Sequence, residues 1–146
     1  MVLVEDECRI EREAGTHAVW YPKGQSTVIN VDRKKQAVSF YGALNVKTGD
    51  CHYLSTKGKQ NSEVTVKFLK ALEERYRGKK ALLIWDSAPS HFKQVKTYLK
   101  GNRKWQLEIL PLPPYSPELN PQEHVWRQGR QFVTHNSEDD FSDRVR

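Results

Sequence analysis

The sequence predicts a single α/β domain, with helices on both faces of a mixed sheet. The first third contains alternating apolar and polar positions, which are typical of antiparallel strands. After Lys57-Gly58-Lys59 the apolar residues recur at helical spacing, and helical segments then alternate with short apolar runs. The length of 146 residues, 37% of them hydrophobic, suits one core.

The N-terminal third predicts an antiparallel meander. Residues 2–11 alternate strictly, with Asp6 on the apolar side and Glu5 and Glu7 on the other. Alternation also runs through residues 38–46, and a Lys-Thr-Gly-Asp turn separates that segment from its hairpin partner. The further predicted strands are Ala18–Tyr21, Ser26–Val31 and Cys51–Leu54.

The remainder predicts alternating helices and strands. The first helix follows a cap at Asn61 or Ser62 and stops at Gly78. Five of the seven prolines lie between Pro111 and Pro121, so that segment is stiff and extended. The later elements are a buried strand over Ala81–Trp85, a helix from Pro89 to Gly101, a strand over Leu107–Leu110 and a helix from Pro121 to about Thr134.

The charge is concentrated in the middle of the chain. The whole chain carries +6, but residues 1–15 carry −3 and residues 138–146 carry −2, which leaves +11 for residues 16–137. Such a basic body is typical of a protein that binds a polyanion through its phosphates. A solvated surface that keeps the protein dispersed accounts for the charge equally well.

Several classes are excluded. No apolar run approaches the ~20 residues of a membrane span, and the acidic N-terminus is unlike a secretory signal. Two cysteines cannot form a disulfide scaffold, and Cys8 with Cys51-His52 lacks zinc-ligand spacing. Lys57–Asn61 lacks the spacing of a phosphate loop. We expect a reducing, intracellular environment.

Three acidic residues stand where chemistry is commonly placed. Asp6 lies within the first strand, Asp86 directly follows the buried strand, and Glu123 lies in the first turn of the last helix. Three carboxylates at one sheet edge repel unless a cation neutralises them, and carboxylate oxygens suit Mg²⁺ or Mn²⁺. Two such ions would support phosphoryl transfer.

Each acid also has an ordinary structural interpretation. Asp86 can accept backbone N–H groups in the turn that follows its strand. Glu123 occupies the capping-box position after Asn120. Asp6 can pair with Arg9, Arg12 or a lysine on a neighbouring strand.

The sequences around these acids resemble a known family. The segments are Ile84-Trp85-Asp86-Ser87-Ala88-Pro89-Ser90-His91 and Pro113-Pro114-Tyr115-Ser116-Pro117-Glu118-Leu119-Asn120-Pro121, the latter followed by Glu123 and Trp126. They are similar to the catalytic core of DDE transposases, in particular the bacterial insertion-sequence branch of the mariner superfamily. Val4-Glu5-Asp6-Glu7, Trp20–Gly24 and Thr134-His135-Asn136 also resemble blocks of that family, so the likeness spans nearly the whole chain.

The resemblance implies a ribonuclease-H-like fold and a function. It implies that Asp6, Asp86 and Glu123 are the catalytic residues and bind two Mg²⁺ or Mn²⁺ ions. In this family metal-activated water cleaves DNA at transposon ends, and the freed 3′-hydroxyl attacks target DNA. Candidate DNA-binding residues are Arg33, Lys34, Lys35, Lys57, Lys59 and His91.

The same resemblance sets expectations about organisation and partners. Residues 1–136 are expected to form the catalytic domain and residues 137–146 an acidic, frayed tail. Partners are DNA at transposon ends and targets, a second copy on DNA, and a separately encoded helix-turn-helix domain, since relatives carry that region before the first catalytic strand. The expected location is the prokaryotic cytoplasm, at the nucleoid. The alternatives are a catalytically idle remnant that only binds DNA, and a ribonuclease H or resolvase-type nuclease.

Overall fold

A computed structural model describes residues 1–11, 22–24, 36–86, 92–101, 106–135, 141 and 145. The predicted strands Ala18–Tyr21 and Ser26–Val31 lie outside the described residues. Every other predicted element is present, with bounds that differ from the predicted ones by a few residues. The elements in order are β1 Val2–Glu11, β2 Ala37–Asn45, β3 Cys51–Thr56, α1 Ser62–Arg75, β4 Ala81–Trp85, α2 Phe92–Gly101, β5 Leu107–Pro111, a 3-10 turn over Pro117–Leu119, and α3 Gln122–His135.

The described strands form one five-stranded mixed sheet in the order β3-β2-β1-β4-β5. Strand β2 pairs antiparallel with β1 and β3, whereas β4 pairs parallel with β1 and β5. The long β1 is therefore central and lies where the antiparallel and parallel halves of the sheet meet. This arrangement confirms the predicted α/β fold.

Helices α1 and α2 cover one face of the sheet. Helix α1 begins as predicted at Asn61, whose side-chain oxygen accepts the backbone N–H groups of Glu63 and Val64 at 3.1 and 3.0 Å. The chain leaves the helix through Gly78, at φ +76°. The apolar residues of this face include Leu3, Tyr41, Phe68, Leu69, Leu72, Leu83, Trp85 and Val95.

Helix α3 covers the opposite face. Its Trp126 and Val133 pack with Cys8, Ile10 and Phe40 from the sheet. Of the predicted frayed tail, the structure describes Phe141 and Val145, which pack against the same cluster. The domain boundary at residue 136 stays a prediction. No described helix combines the length and apolar character needed to cross a membrane.

Strand β1 differs from its prediction in one respect. The alternation predicted one apolar face, but Leu3, Val4, Glu5 and Asp6 are all buried. The reason is that β1 lies between two other strands, with α1 and α2 above one face and α3 above the other. Glu5 and Asp6 are therefore enclosed, Glu5 on the α1 side and Asp6 on the α3 side.

Candidate active site

Asp6 lies on the α3 side of the central strand. In the β1–β2 register it stands opposite Gly42, and it is only 8% exposed. One of its carboxylate oxygens, Oδ2, is buried without a hydrogen-bond partner. The alternative pairing of Asp6 with Arg9 is not formed, because Arg9 instead binds Glu11 at 3.0 Å. Arg12, the other arginine near Asp6 in the sequence, lies outside the described residues.

Asp86 follows the last residue of β4. Glu5 pairs with Trp85 in the parallel β1–β4 register, so one further step brings Asp86 beside Asp6. The carboxyl end of a parallel strand in an open sheet is a common ligand position. The alternative role of Asp86 as the cap of a turn concerns residues 87–90, which lie outside the described residues.

Glu123 lies in the first turn of α3, and Asn120 sets the start of that helix. The Asn120 side-chain oxygen accepts the Gln122 N–H at 3.0 Å, and its carbonyl accepts the Glu123 N–H at 3.1 Å. A capping box would need the Glu123 carboxylate to accept the Asn120 N–H. That N–H donates to the Pro117 carbonyl at 3.0 Å, so this alternative is wrong.

These three acids line one cavity of about 470 Å³. The proline-rich segment forms its other wall, beginning where the Leu112 N–H donates to the Trp85 carbonyl at 2.7 Å. The cavity therefore lies between the middle of β1, the end of β4, the start of α3 and the loop that joins β5 to α3. The remaining described lining residues are Leu112, Pro113, Pro114, Tyr115, Ser116, Pro117 and Asn120.

The electrostatics of the cavity hinder ionisation of Asp6. Burial is the main cause that raises its pKa to about 7, and the negative charges of Glu123 and Asp86 raise it further. The Glu7 backbone N–H lowers this pKa. The Trp126 indole N–H lies near enough to lower it as well, although it makes no hydrogen bond of standard geometry. The three acids are therefore electrostatically coupled.

Two further acids of β1 lie on the α1 side, where Glu5 is buried and Glu7 half-buried, although the alternation had placed both on a polar face. Glu5 is 0% exposed, and neither of its carboxylate oxygens has a hydrogen-bond partner. Burial, then the charges of Glu7, Asp6 and Asp86, raises its pKa well above the usual value. Burial also raises the pKa of Glu7 to about 7, although the Thr65 hydroxyl donates to it at 3.3 Å. The signal in the sequence was three consecutive acids in a strand that becomes central.

The acids of the cavity fit a divalent cation by their chemistry. They supply hard oxygen donors, they repel one another, and Asp6 has an oxygen without a partner. In the part of the chain that the structure describes, no three His, Cys, Asp or Glu side chains converge closely enough to hold an ion. Shared coordination by Asp6, Asp86 and Glu123 therefore requires their side chains to move inward.

Gly42 allows α3 to approach the sheet beside Asp6. A β-carbon at this position would lie 2.5 and 2.6 Å from ring carbons of Trp126, and it would also collide with the Gln122 amide. Only a residue without a side chain fits there, as is typical of a glycine inside a strand at a close approach. Gly42 therefore sets the depth at which the helix carrying Glu123 lies.

The candidate DNA-binding residues are only partly described. Lys57 and Lys59 are exposed in the loop between β3 and α1. Neither is among the described residues that line the acidic cavity. Arg33, Lys34, Lys35 and His91 lie outside the described residues.

Comparison with known proteins identifies the family. The sequence profile of the DDE superfamily endonucleases matches residues 1–145. The chain belongs to this family. No curated protein sequence matches it significantly.

Solved structures of Mos1 transposase share the fold. The Mos1 mariner paired end complex with Mn has a TM-score of 0.69 at 21% identity, and the match covers 90% of this chain and 42% of that one. The complex with Mg gives 0.68 at 21% identity, covering 90% and 42%. The Mos1 strand transfer complex gives 0.57 at 21% identity, covering 87% and 39%. This DDE-family chain thus spans about two fifths of the Mos1 chains it matches, and the ribonuclease-H-like fold is confirmed.

Proposed function

We propose that this chain is the catalytic domain of a DNA transposase, which cleaves DNA and transfers the cleaved strand with the help of divalent metal ions. The observation that carries the proposal is the meeting of Asp6, Asp86 and Glu123 on one cavity in a chain of the DDE family. The Mos1 complexes with Mn, with Mg and in the strand transfer state support the same chemistry by likeness of fold.

In this proposal Asp6, Asp86 and Glu123 hold two Mg²⁺ or Mn²⁺ ions. Ions bound there would polarise the scissile phosphate and activate the attacking oxygen. The residues of the chain supply position. Strand β1 holds Asp6 rigidly in the sheet, and the Asn120 cap holds the first turn of α3 and with it Glu123. Burial raises the pKa of Asp6 to about 7, so a cation would displace a proton from Asp6 near neutral pH, and its binding should strengthen as the pH rises.

The proposed partners follow from the charge and from the family. The basic middle of the chain, through Lys57, Lys59, Arg33, Lys34, Lys35 and His91, would bind DNA phosphates. A second copy on paired DNA ends is proposed from the paired end complexes of Mos1. A separately encoded helix-turn-helix domain, the bacterial insertion-sequence branch and a prokaryotic nucleoid location remain predictions.

The test is a nicking assay on supercoiled DNA with Mg²⁺ or Mn²⁺. We expect cleavage by wild type and a loss of at least about 100-fold in Glu123→Gln and Asp86→Ala. Glu118→Gln is the matched control, because Glu118 is an exposed acid of the neighbouring 3-10 turn and does not line the cavity. Equal cleavage by all four proteins would refute the assignment of these acids.

Two alternatives give different results in the same assay. An idle remnant would bind DNA in a gel-shift experiment but leave it intact with either metal. A ribonuclease H would cut the RNA strand of an RNA–DNA hybrid in preference to duplex DNA.

A further inference from the structure

The loop that walls the acidic cavity presents one unusual residue, Tyr115. It is fully exposed to solvent. Its backbone has φ +57°, and it is the one described residue other than glycine with a positive φ. A bulky side chain in this left-handed region is a conformational outlier. Tyr115 therefore has an unfavourable backbone conformation, and its aromatic ring is exposed to solvent instead of packed in the core.

The loop is fixed on both sides of Tyr115. Before it, Pro113 and Pro114 restrict φ, and Leu112 is hydrogen-bonded to the end of β4. After it, the Ser116 hydroxyl donates to the Pro114 carbonyl at 3.3 Å, and the Leu119 N–H donates to the Ser116 carbonyl at 3.1 Å. Tyr115 is thus at the tip of a stiff loop, and the strain is imposed by the surrounding structure. Strain held in this way is common at ligand sites.

The position of the ring limits what it can contact. Tyr115 lines the same cavity as Asp6, Asp86 and Glu123. The cavity has a volume of about 470 Å³, which is room for one nucleotide unit, so a base next to a phosphate held by the acids would lie close to the Tyr115 ring. Where the DNA strand that brings its phosphate to the acids is unpaired, the neighbouring base lacks a stacking partner of its own.

We propose that Tyr115 stacks on the unpaired DNA base next to the phosphate that enters the acidic cavity. The inference rests on the proposed function, because it takes DNA as the substrate. An exposed aromatic ring is the side chain that replaces lost base stacking, and it does so with little sequence preference. Tyr115 in this role holds the strand in the orientation that cleavage requires, and takes no part in proton transfer or metal binding.

The experiment measures stacking separately from cleavage. The probe is a short single strand that carries 2-aminopurine, a fluorescent base whose emission is quenched on stacking, bound in the presence of Ca²⁺. The variants are Tyr115→Phe, which keeps the ring, and Tyr115→Gly, which removes it. Glycine accepts φ +57° without strain, so the loop keeps its shape and the variant should melt like wild type.

We expect quenching by wild type and Tyr115→Phe, and little quenching by Tyr115→Gly. Removal of the ring should weaken binding of the strand by about 5- to 150-fold. Fully paired duplex should show a much smaller difference between the variants. Equal quenching and equal affinity in all three proteins would overturn the inference. It would also be overturned if Tyr115→Gly altered only the self-association of the chain and left quenching and strand affinity unchanged.

The outcome separates this inference from the proposed function. If wild type does not cleave DNA but quenching depends on the ring, the stacking role stands and the transposase proposal fails. If wild type cleaves DNA while Tyr115→Gly quenches, binds and cleaves equally well, the stacking role alone fails.

Discussion

A single methyl group added at Gly42 should separate α3 from the sheet. The new β-carbon of Gly42→Ala would lie 2.5 and 2.6 Å from Cζ2 and Cη2 of Trp126, whereas ordinary contacts begin at 3.4 Å. The Trp126 ring cannot swing away freely, since it is buried and packs on Phe40 with centroids 6.2 Å apart. The gap between helix and strand must therefore open by roughly 1 Å.

This displacement has two measurable consequences. Overpacking of this kind costs about 1–3 kcal/mol, which lowers the melting temperature by about 3–10 °C. The same shift moves Glu123, because it lies in the first turn of the displaced helix. A misplacement of about 1 Å can cost a reaction roughly 100-fold in rate. The assays are thermal unfolding by circular dichroism and metal-dependent nicking of DNA.

Gly129→Ala is the matched control. Gly129 lies inside the same helix, and a β-carbon there would have nothing within 4 Å. Alanine is about 0.5–1 kcal/mol better than glycine inside a helix, so this variant should melt higher and cleave normally. Trp126→Phe removes the two colliding ring carbons, so it should recover part of the stability lost in Gly42→Ala. A Gly42→Ala protein that melts and cleaves like wild type would refute this reasoning.

Three further predictions concern the acids and the cap of α3. In EDTA the free energy of unfolding should fall as the pH rises from about 4, where carboxyls of the unfolded chain ionise, to about 7, the raised pKa of Asp6 and Glu7. The reason is that the folded chain retains protons that the unfolded chain has lost. Glu5→Gln should flatten this pH dependence, and a melting temperature that rises between pH 4 and pH 7 would contradict the prediction. In EDTA at pH 8, Asp6→Asn should have a higher melting temperature than wild type, because it removes the repulsion between Asp6 and the neighbouring acids. Added Mn²⁺ should raise the melting temperature of Asp6→Asn less than that of wild type, and an equal rise would argue against Asp6 as a metal ligand. Asn120→Ala should cost about 1 kcal/mol through loss of the cap and lower the nicking rate, whereas normal nicking would show that the cap does not position Glu123.

Much of the fold could be read from local pattern. Alternation located β1 at residues 2–11, and the glycine and asparagine signals located both ends of α1. Such signals are local because strand and helix periods, caps and stops depend on neighbours in the chain. The placement of Asp6 within a strand, of Asp86 after a strand and of Glu123 at the start of a helix was readable for the same reason.

The environment of those residues could not be read in this way. Glu5 was expected on a polar face, but it is buried without a partner because β1 is central and covered on both sides. The capping-box interpretation of Glu123 fitted the sequence equally well. It is wrong because the Asn120 N–H donates to the Pro117 carbonyl and not to the Glu123 carboxylate. Both outcomes depend on groups that are distant along the chain or on the path of a loop.

The sequence by itself determined the elements, the identity of the acids and the membership of the DDE family, since these depend on residue order. Tertiary structure alone decided that Gly42 must lack a side chain, that the three acids share one cavity and that Tyr115 stands exposed beside them. The physical reason is that burial, steric contact and charge repulsion act between surfaces that only folding brings together.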